Sequence, residues 1–152
     1  MEIRLARRSD LDRIIGIRLD AFGRMASTVY TKAEVETLLD NYSEEEFIEM
    51  ISDKRMFVAT IDGIIRGTAA WAGTNIRHVY IDPDFFGLNI GTELVARTEA
   101  DYQKRTQGTF INAEVILYAR GFYEKCGYIL EGLAKDWDGS EYWQMSKPLP
   151  AL

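Results

Sequence analysis

The dipeptide Asp62-Gly63 lies between two apolar β-type runs, MFVATI (56–61) and IIRGTAAWAG (64–73). Asp-Gly favours the tight turn of a two-residue hairpin, because both central positions of that turn need a positive φ. We therefore predict two antiparallel strands joined at this turn. This hairpin predicts a sheet in the middle of the chain, and we expect the remaining elements to pair with it or pack against it.

The rest of the chain alternates helical and extended patterns around this hairpin. The predicted elements are a strand at 1–5, a helix capped by Ser9, one or two short helices with possible caps at Thr31 and Ser43, a strand at 77–81, a helix at 91–105, a strand at 109–117, a helix at 119–127, and two strands at 128–133 and 142–149. Side-chain oxygens at helix starts and Gly or Pro at the ends mark the boundaries. This order predicts a mixed sheet in an α+β fold.

Composition limits the possible functions. A length of 152 residues predicts one domain spanning 1–152. The 18 Lys and Arg face 24 Asp and Glu, giving a net charge of −6, which disfavours nucleic acid and anionic membranes as partners. One cysteine, Cys126, excludes an intramolecular disulfide and a cysteine-rich zinc site, and no metal is expected. The charged start, MEIRLARRSD, lacks the apolar segment of a secretory signal, so we expect a cytoplasmic protein.

The segment IDPDFFGLNIGTELV (81–95) is the richest candidate site. A strand stops at Pro83, and Gly87 and Gly91 flank the start of an amphipathic helix, where free backbone amides favour an anion such as a pyrophosphate. The alternative is an ordinary strand-to-helix turn. The segment is neither a P-loop nor a dinucleotide fingerprint, because it lacks both Gly patterns.

Two motifs in the chain resemble those of the GNAT superfamily of acyl-CoA-dependent N-acetyltransferases, as a small bacterial-type member. They are the loop at 86–91 after Ile81-Asp82-Pro83, and the segment FYEKCGY at 122–128. The resemblance implies a mixed, mostly antiparallel sheet of six to seven strands with helices on both faces. It also implies acetyl-CoA as cosubstrate without a metal, a small-molecule or peptide primary amine as acceptor, and a possible homodimer.

The same resemblance assigns the cofactor-binding residues. The pantetheine arm would pair with one strand edge, the pyrophosphate would bind the loop amides, and a basic side chain would lie near the phosphates. The assigned residues are Val79, Tyr80, Ile81, Phe86, Gly87, Leu88, Asn89, Ile90, Gly91, Thr92 and Lys125. Three positions depart from the family pattern: Phe86 replaces a polar residue, Asn89 replaces a glycine, and Ile116 replaces a hydrogen-bonding residue. Asn adopts left-handed backbone more readily than most residues, so we expect CoA binding to survive.

Catalysis would need a proton donor for the leaving thiolate and a base for the amine. By resemblance, Tyr123 is the donor; without it, Tyr123 would be interpreted as a core residue. The position near residue 75, where many members carry a carboxylate, is Asn75 here. Glu114, His78 and an ordered water therefore remain alternative bases. Cys126 is interpreted as a small buried residue rather than a nucleophile.

Two features of the sequence concern the binding site of the acceptor amine. Residues 34–53 contain eight acidic residues and no Lys or Arg, and they form either solvated helix faces or a field that steers a cationic amine. Aromatic residues that could line an acceptor pocket, or equally form core, are Phe22, Tyr30, Tyr42 and Trp71. The rival function is an acyl-CoA-binding or sensing module without catalysis.

Overall fold

The computed structural model describes residues 1–40 and 42–151. The strands are β1 (Glu2–Leu5), β2 (Met56–Ile61), β3 (Ile64–Ala72), β4 (Asn75–Ile81), β5 (Phe110–Ile116), β6 (Ile129–Lys135) and β7 (Glu141–Pro148). The helices are α1 (Leu11–Met25), α2 (Lys32–Asp40), α3 (Glu44–Ser52), α4 (Ile90–Thr106) and α5 (Arg120–Lys125). The predicted order of strands and helices is confirmed.

The strands form one sheet of seven in the order β1-β2-β3-β4-β5-β7-β6. The hairpin predicted at Asp62-Gly63 joins β2 to β3, with φ of 53° at Asp62 and 77° at Gly63. Neighbouring strands are antiparallel except β4 and β5, which are parallel. The mixed, mostly antiparallel sheet is therefore confirmed.

Alternating side chains of β2 supply both faces of the sheet, as the two-residue period of a strand requires. Met56 and Val58 pack with residues of α1 and α3, and Phe57 and Ala59 pack with α4. A further cluster joins α4 to β5 and β7 around Met145. Helices thus cover both faces, as predicted.

The helix starts are partly as predicted. Thr31 accepts a hydrogen bond from the amide of Glu34 (3.2 Å), and Ser43 accepts one from the amide of Glu46 (3.2 Å), so both predicted caps are confirmed. The cap predicted at Ser9 is wrong. A 3-10 helix spans Arg8–Asp10 and leads directly into α1, which begins at Leu11. At this start the Asp10 side chain accepts a hydrogen bond from the amide of Arg7 (2.7 Å), and the amide of Asp10 donates to the carbonyl of Arg7 (2.9 Å), so Ser9 is not the cap.

Candidate active site

A β-bulge in β4 opens the sheet at its centre. The register between β3 and β4 shifts between Thr68 and Ala70, and His78 on the bulge has a φ of 53°. The Thr68 hydroxyl donates a hydrogen bond to the carbonyl of His78 (2.8 Å) and fixes the irregular backbone. A histidine with positive φ is strained, and such strain collects at functional sites.

Beyond the bulge β4 and β5 separate. Their parallel pairing is limited to Asn75 with Asn112 and Ile76 with Ala113. The edge of β4 from Val79 to Ile81 therefore faces β5 without a paired strand in the described chain. Backbone amides and carbonyls at such an edge can pair with an extended ligand, as in β-augmentation.

Beside the unpaired end of β4 lies a cleft of about 320 Å³, which we call the β4–β5 cleft because it opens where β4 and the segment after β5 separate. It is lined by Ala21, Met25, Val79, Tyr80, Ile81, Phe85, Phe86, Gly87, Asn89, Ile90, Gly91, Thr92, Tyr118, Ala119, Phe122, Tyr123 and Lys125. All the cofactor-binding residues predicted from the sequence line it except Leu88, whose side chain is exposed. Any role of Leu88 would therefore rest on its backbone amide.

The N-terminus of α4 faces this cleft. Asn89 has a φ of 62°, the left-handed conformation expected of the residue that replaces a glycine, and no side chain caps the helix. The first amides of an α-helix have no intrahelical acceptor, so those of Ile90, Gly91 and Thr92 are available to a ligand. Amide donors and the positive end of the helix dipole suit a pyrophosphate.

Buried Asp82 holds the loop before α4 in place. It accepts hydrogen bonds from Arg66 (3.0 Å) and Arg13 (3.1 Å), and its second oxygen accepts one from the amide of Asp84 (3.1 Å). Burial alone would raise the pKa of Asp82, but these donors outweigh it and hold the pKa below its ordinary value. The loop is therefore anchored to β3 and α1 before it reaches the cleft.

Tyr123 lies on α5 across the cleft from α4. Its ring packs edge-on against Phe122 (centroids 5.2 Å apart) and Tyr128 (5.3 Å). Burial is the main cause that raises the pKa of Tyr123, and the nearby Tyr80 raises it further. The phenol therefore carries its proton at neutral pH, as a proton donor must.

A second space, which we call the polar cavity, has a volume of about 200 Å³ and is lined by residues of β4, β5 and β7 together with α1. It is lined by Arg18, Phe22, Tyr30, Leu38, Asn75, Ile76, Arg77, His78, Tyr80, Glu114, Ile116, Asp136, Ser140, Glu141 and Tyr142. Both candidate bases, Glu114 and His78, line it. Tyr80 lines both this cavity and the β4–β5 cleft, so its side chain marks their junction.

The His78 ring contacts a polar side chain through each of its two nitrogens. Its Nε2 lies 3.5 Å from Oε1 of Glu46 on α3, and its Nδ1 lies 3.3 Å from the Tyr80 hydroxyl. Burial lowers the pKa of His78, although Glu46 partly opposes this. The neighbouring Arg77 pairs with the same Glu46 oxygen at 3.0 Å. His78 is therefore neutral at neutral pH and held between two partners.

The acceptor-side expectations are met in part. Phe22 and Tyr30 line the polar cavity, and the Tyr30 hydroxyl donates to the carbonyl of Glu141 (2.9 Å). Trp71 is core instead: it packs on Tyr102 and donates to Asp101 (2.8 Å). The eight acids of 34–53 do not line this cavity, whose acids are Glu114, Asp136 and Glu141.

Sequence reasoning did not identify several residues that line these spaces, among them Asp136 and Glu141 of the polar cavity. Tyr118 lines the β4–β5 cleft, and Met25 lines it because α1 extends beyond the predicted end of its apolar pattern. Arg18 is buried in α1, where it donates to the carbonyls of Leu39 (2.9 Å) and Leu38 (2.7 Å) at the end of α2. The sequence signal that could have identified Arg18 was its position on the apolar face of a helix, because a buried charge needs polar partners.

The divided sheet, with an uncapped helix facing the cleft, defines the acyl-CoA-dependent transferase class that the motifs indicated. A family model described as "Acetyltransferase (GNAT) domain" matches residues 26–149. The chain therefore belongs to the GNAT acetyltransferase family, and it is an N-acetyltransferase that uses acetyl-CoA as acetyl donor. A search of curated proteins found no match.

Solved structures share this fold. A GCN5-related N-acetyltransferase from Rhodopseudomonas palustris is 22% identical with a TM-score of 0.86, over 97% of this chain and 95% of that chain. The PaiA N-acetyltransferase from Thermoplasma acidophilum, in complex with coenzyme A, is 22% identical with a TM-score of 0.75, over 97% and 98%. A spermidine N-acetyltransferase chimera of Vibrio cholerae SpeG and hSSAT is 17% identical with a TM-score of 0.66, over 97% and 96%.

Within 1–40 and 42–151, no group of three or more His, Cys, Asp or Glu side chains is placed to hold a metal ion. No helix in the same ranges has the length and apolarity needed to cross a membrane.

Proposed function

We propose that the protein transfers the acetyl group of acetyl-CoA to a primary amine bound in the polar cavity, with Tyr123 as proton donor to the leaving CoA sulfur. The single observation that carries the proposal is the meeting of two spaces at Tyr80, one lined by a helix N-terminus and one lined by carboxylates. Such an arrangement allows two substrates to occupy separate spaces and meet at Tyr80.

The donor side is supported by the fit of the cleft to acetyl-CoA, which supplies an activated thioester when bound. The α4 amides, including those of Gly91 and Thr92, would hold the pyrophosphate, and the free edge of Val79–Ile81 would pair with the pantetheine amides. Lys125 lines the same cleft and would add a positive charge near the phosphates. Phe86 and Asn89 leave this fit intact because the site consists mainly of backbone groups.

Tyr123 would act at the sulfur. As the nitrogen bonds to the acetyl carbon, the carbon–sulfur bond breaks with its electron pair on sulfur, and the Tyr123 hydroxyl donates its proton there. A phenol is a weaker acid than a thiol, by about 2 kcal/mol from ordinary pKa values of roughly 10 and 8.5, and the raised pKa of Tyr123 widens this gap. Donation must therefore accompany bond breaking rather than precede it.

The acceptor side favours a cationic amine. The acidic residues that line the polar cavity are Glu114, Asp136 and Glu141, and the basic residues are Arg18 and Arg77. Two structurally similar proteins are named as spermidine and aminoglycoside 6'-N-acetyltransferases, and those substrates are cationic amines. The ammonium group would lie near the carboxylates until it loses a proton.

The experiment is release of free CoA thiol over a panel of amines: spermidine, an aminoglycoside, lysine, a peptide N-terminus and a neutral aromatic amine. We expect the best rates with a cationic amine, and kcat/KM for it should fall as salt rises, because screening shortens the Debye length to about 8 Å at physiological ionic strength. Acetyl-CoA binding without thiol release for any amine would contradict catalysis and favour the acyl-CoA-binding module.

A further inference from the structure

Glu46, His78 and Tyr80 form a chain of polar groups that begins on α3 and ends at the junction of the two spaces. The contacts are 3.5 Å from Glu46 Oε1 to His78 Nε2 and 3.3 Å from His78 Nδ1 to the Tyr80 hydroxyl. Both ring nitrogens of the histidine thus face a polar partner. In such an arrangement, the partner of one nitrogen fixes which proton the other carries.

The backbone is bent to make this chain. In a regular strand Arg77 and His78 would point to opposite faces of the sheet. The bulge at His78 turns both side chains towards α3, where they reach the same oxygen of Glu46. The His78 ring also packs on Phe47 with centroids 4.5 Å apart, which restrains its orientation.

We propose that Tyr80 is the catalytic residue that takes the proton from the attacking nitrogen, that His78 accepts the proton which Tyr80 releases, and that Glu46 is a positioning residue that orients and stabilises His78. The inference rests on the proposed function, since it assigns the base side of that reaction. It selects His78, acting through Tyr80, over Glu114.

The proton transfers balance. While the nitrogen bonds to the acetyl carbon, its proton passes to the Tyr80 oxygen and the Tyr80 proton passes to His78 Nδ1. His78 is then a cation beside the Glu46 carboxylate, and it loses the added proton to solvent. Tyr123 recovers from solvent the proton that it gave to sulfur, so both tyrosines are restored at the end of each turnover.

The electrostatics support this direction of transfer. Burial raises the pKa of Tyr80, so the phenol stays protonated and acts by exchanging protons rather than as a phenolate. The nearby His78, 3.5 Å away, is the main cause that lowers the pKa of Glu46, so the carboxylate is charged and can stabilise an imidazolium. The other charged groups that face the ring are Arg77 on the same strand and Arg18 on α1, which both oppose its protonation, and Glu114 lines the same cavity from β5.

The first test needs neither substrate. His78 is the single histidine of the sequence, so its ring nitrogens give one unambiguous set of signals in ¹⁵N NMR. We expect neutral His78 to carry its proton on Nε2 and to accept at Nδ1. Glu46→Gln should weaken proton binding by His78 about tenfold, equivalent to about 1.4 kcal/mol. Glu45→Gln is the matched control: it removes the same charge from an exposed neighbour and should leave the titration unchanged.

The second test is kinetic, with the best amine of the panel. Tyr80→Phe keeps the ring and should lower kcat about 100-fold, as loss of a general base does, with the KM for acetyl-CoA within about threefold. The acidic limb of the kcat/KM profile should follow the His78 pKa measured by NMR and move with it in Glu46→Gln.

Three results would overturn the inference. They are a neutral His78 protonated on Nδ1, full turnover by a folded Tyr80→Phe variant, or an acidic limb of the kcat/KM profile that does not shift in Glu46→Gln. The two proposals fail differently. If no amine is acetylated by the unaltered protein, the proposed function fails, and the NMR result still decides whether the hydrogen-bonded chain exists.

Discussion

A Cβ atom placed on Gly91 would lie 2.9 Å from Cε1 of Phe122, closer than packed atoms approach. Gly91 is at the start of α4 and Phe122 is on α5, so this contact joins the helix that would hold the pyrophosphate to the helix that carries Tyr123. The glycine is required here for close approach rather than for its φ.

We expect Gly91→Ala to lower the free energy of unfolding by about 1–3 kcal/mol, the usual cost of overpacking. Urea unfolding measures it. Adding Phe122→Leu should recover part of the loss, because the smaller side chain makes room. Gly121→Ala is the control, since a Cβ there has no neighbour within 4 Å. A neutral Gly91→Ala would contradict the contact.

Thr92 allows the charge at the helix start to be tested separately from packing. Thr92→Glu should stabilise α4, because an acid in the first turn interacts favourably with the helix dipole by about 0.3–1 kcal/mol. The same carboxylate should repel the pyrophosphate and weaken acetyl-CoA binding about tenfold relative to Thr92→Gln, which has the same size without the charge. Calorimetric titration with acetyl-CoA compares the two variants. Equal affinities of the two variants would contradict binding of the pyrophosphate at the start of α4.

Tyr123→Phe tests the proton donor. The ring contacts with Phe122 and Tyr128 remain, so the fold and the Kd for acetyl-CoA should change little. Turnover with the best amine should fall about 100-fold, the lower range for loss of a general acid. Single-turnover thiol release isolates this step from product release. If turnover is undiminished, Tyr123 serves packing alone.

The left-handed backbone at Asn89 predicts a steep dependence on residue type. Asn89→Gly should keep the stability and the acetyl-CoA affinity, because glycine adopts a φ of 62° freely. Asn89→Val should lose about 1–2 kcal/mol, the penalty for a branched side chain in this conformation. Thermal unfolding and calorimetric titration of both variants provide the comparison, and equal behaviour of the two would contradict the assigned backbone.

Asp82 predicts a pH-dependent contribution to stability. Its pKa is lowered in the folded protein, so the stabilisation is present above the unfolded value of about 3.9 and is lost as the pH falls through the folded pKa. Asp82→Asn should therefore cost about 1–3 kcal/mol at neutral pH, and the difference from the unaltered protein should vanish in acid. Asp84→Asn, at an exposed pair with Arg24, should cost much less than Asp82→Asn, because solvent screens that pair. Urea unfolding across the acidic range gives both curves, and a constant difference would exclude the ion pairs as its cause.

Local sequence determined the elements of this protein and the loop that faces the β4–β5 cleft. Asp62-Gly63 fixes a hairpin because few residues accept positive φ at both positions, and Asn89 takes the left-handed conformation for the same reason. The two GNAT motifs also predicted that Tyr123 and the α4 amides lie at one site, because proteins that share these motifs share a fold that brings them together.

Tertiary structure alone decided what lies around His78. Regular alternation along β4 places Arg77 and His78 on opposite faces, but the bulge brings both to Glu46, a residue of a helix 31 positions or more earlier in the chain. The same bulge separates β4 from β5 and leaves Tyr80 between the two spaces. A bulge depends on how β3, β4 and the covering helices pack together, and those long-range contacts leave no periodic signal in the sequence of the strand.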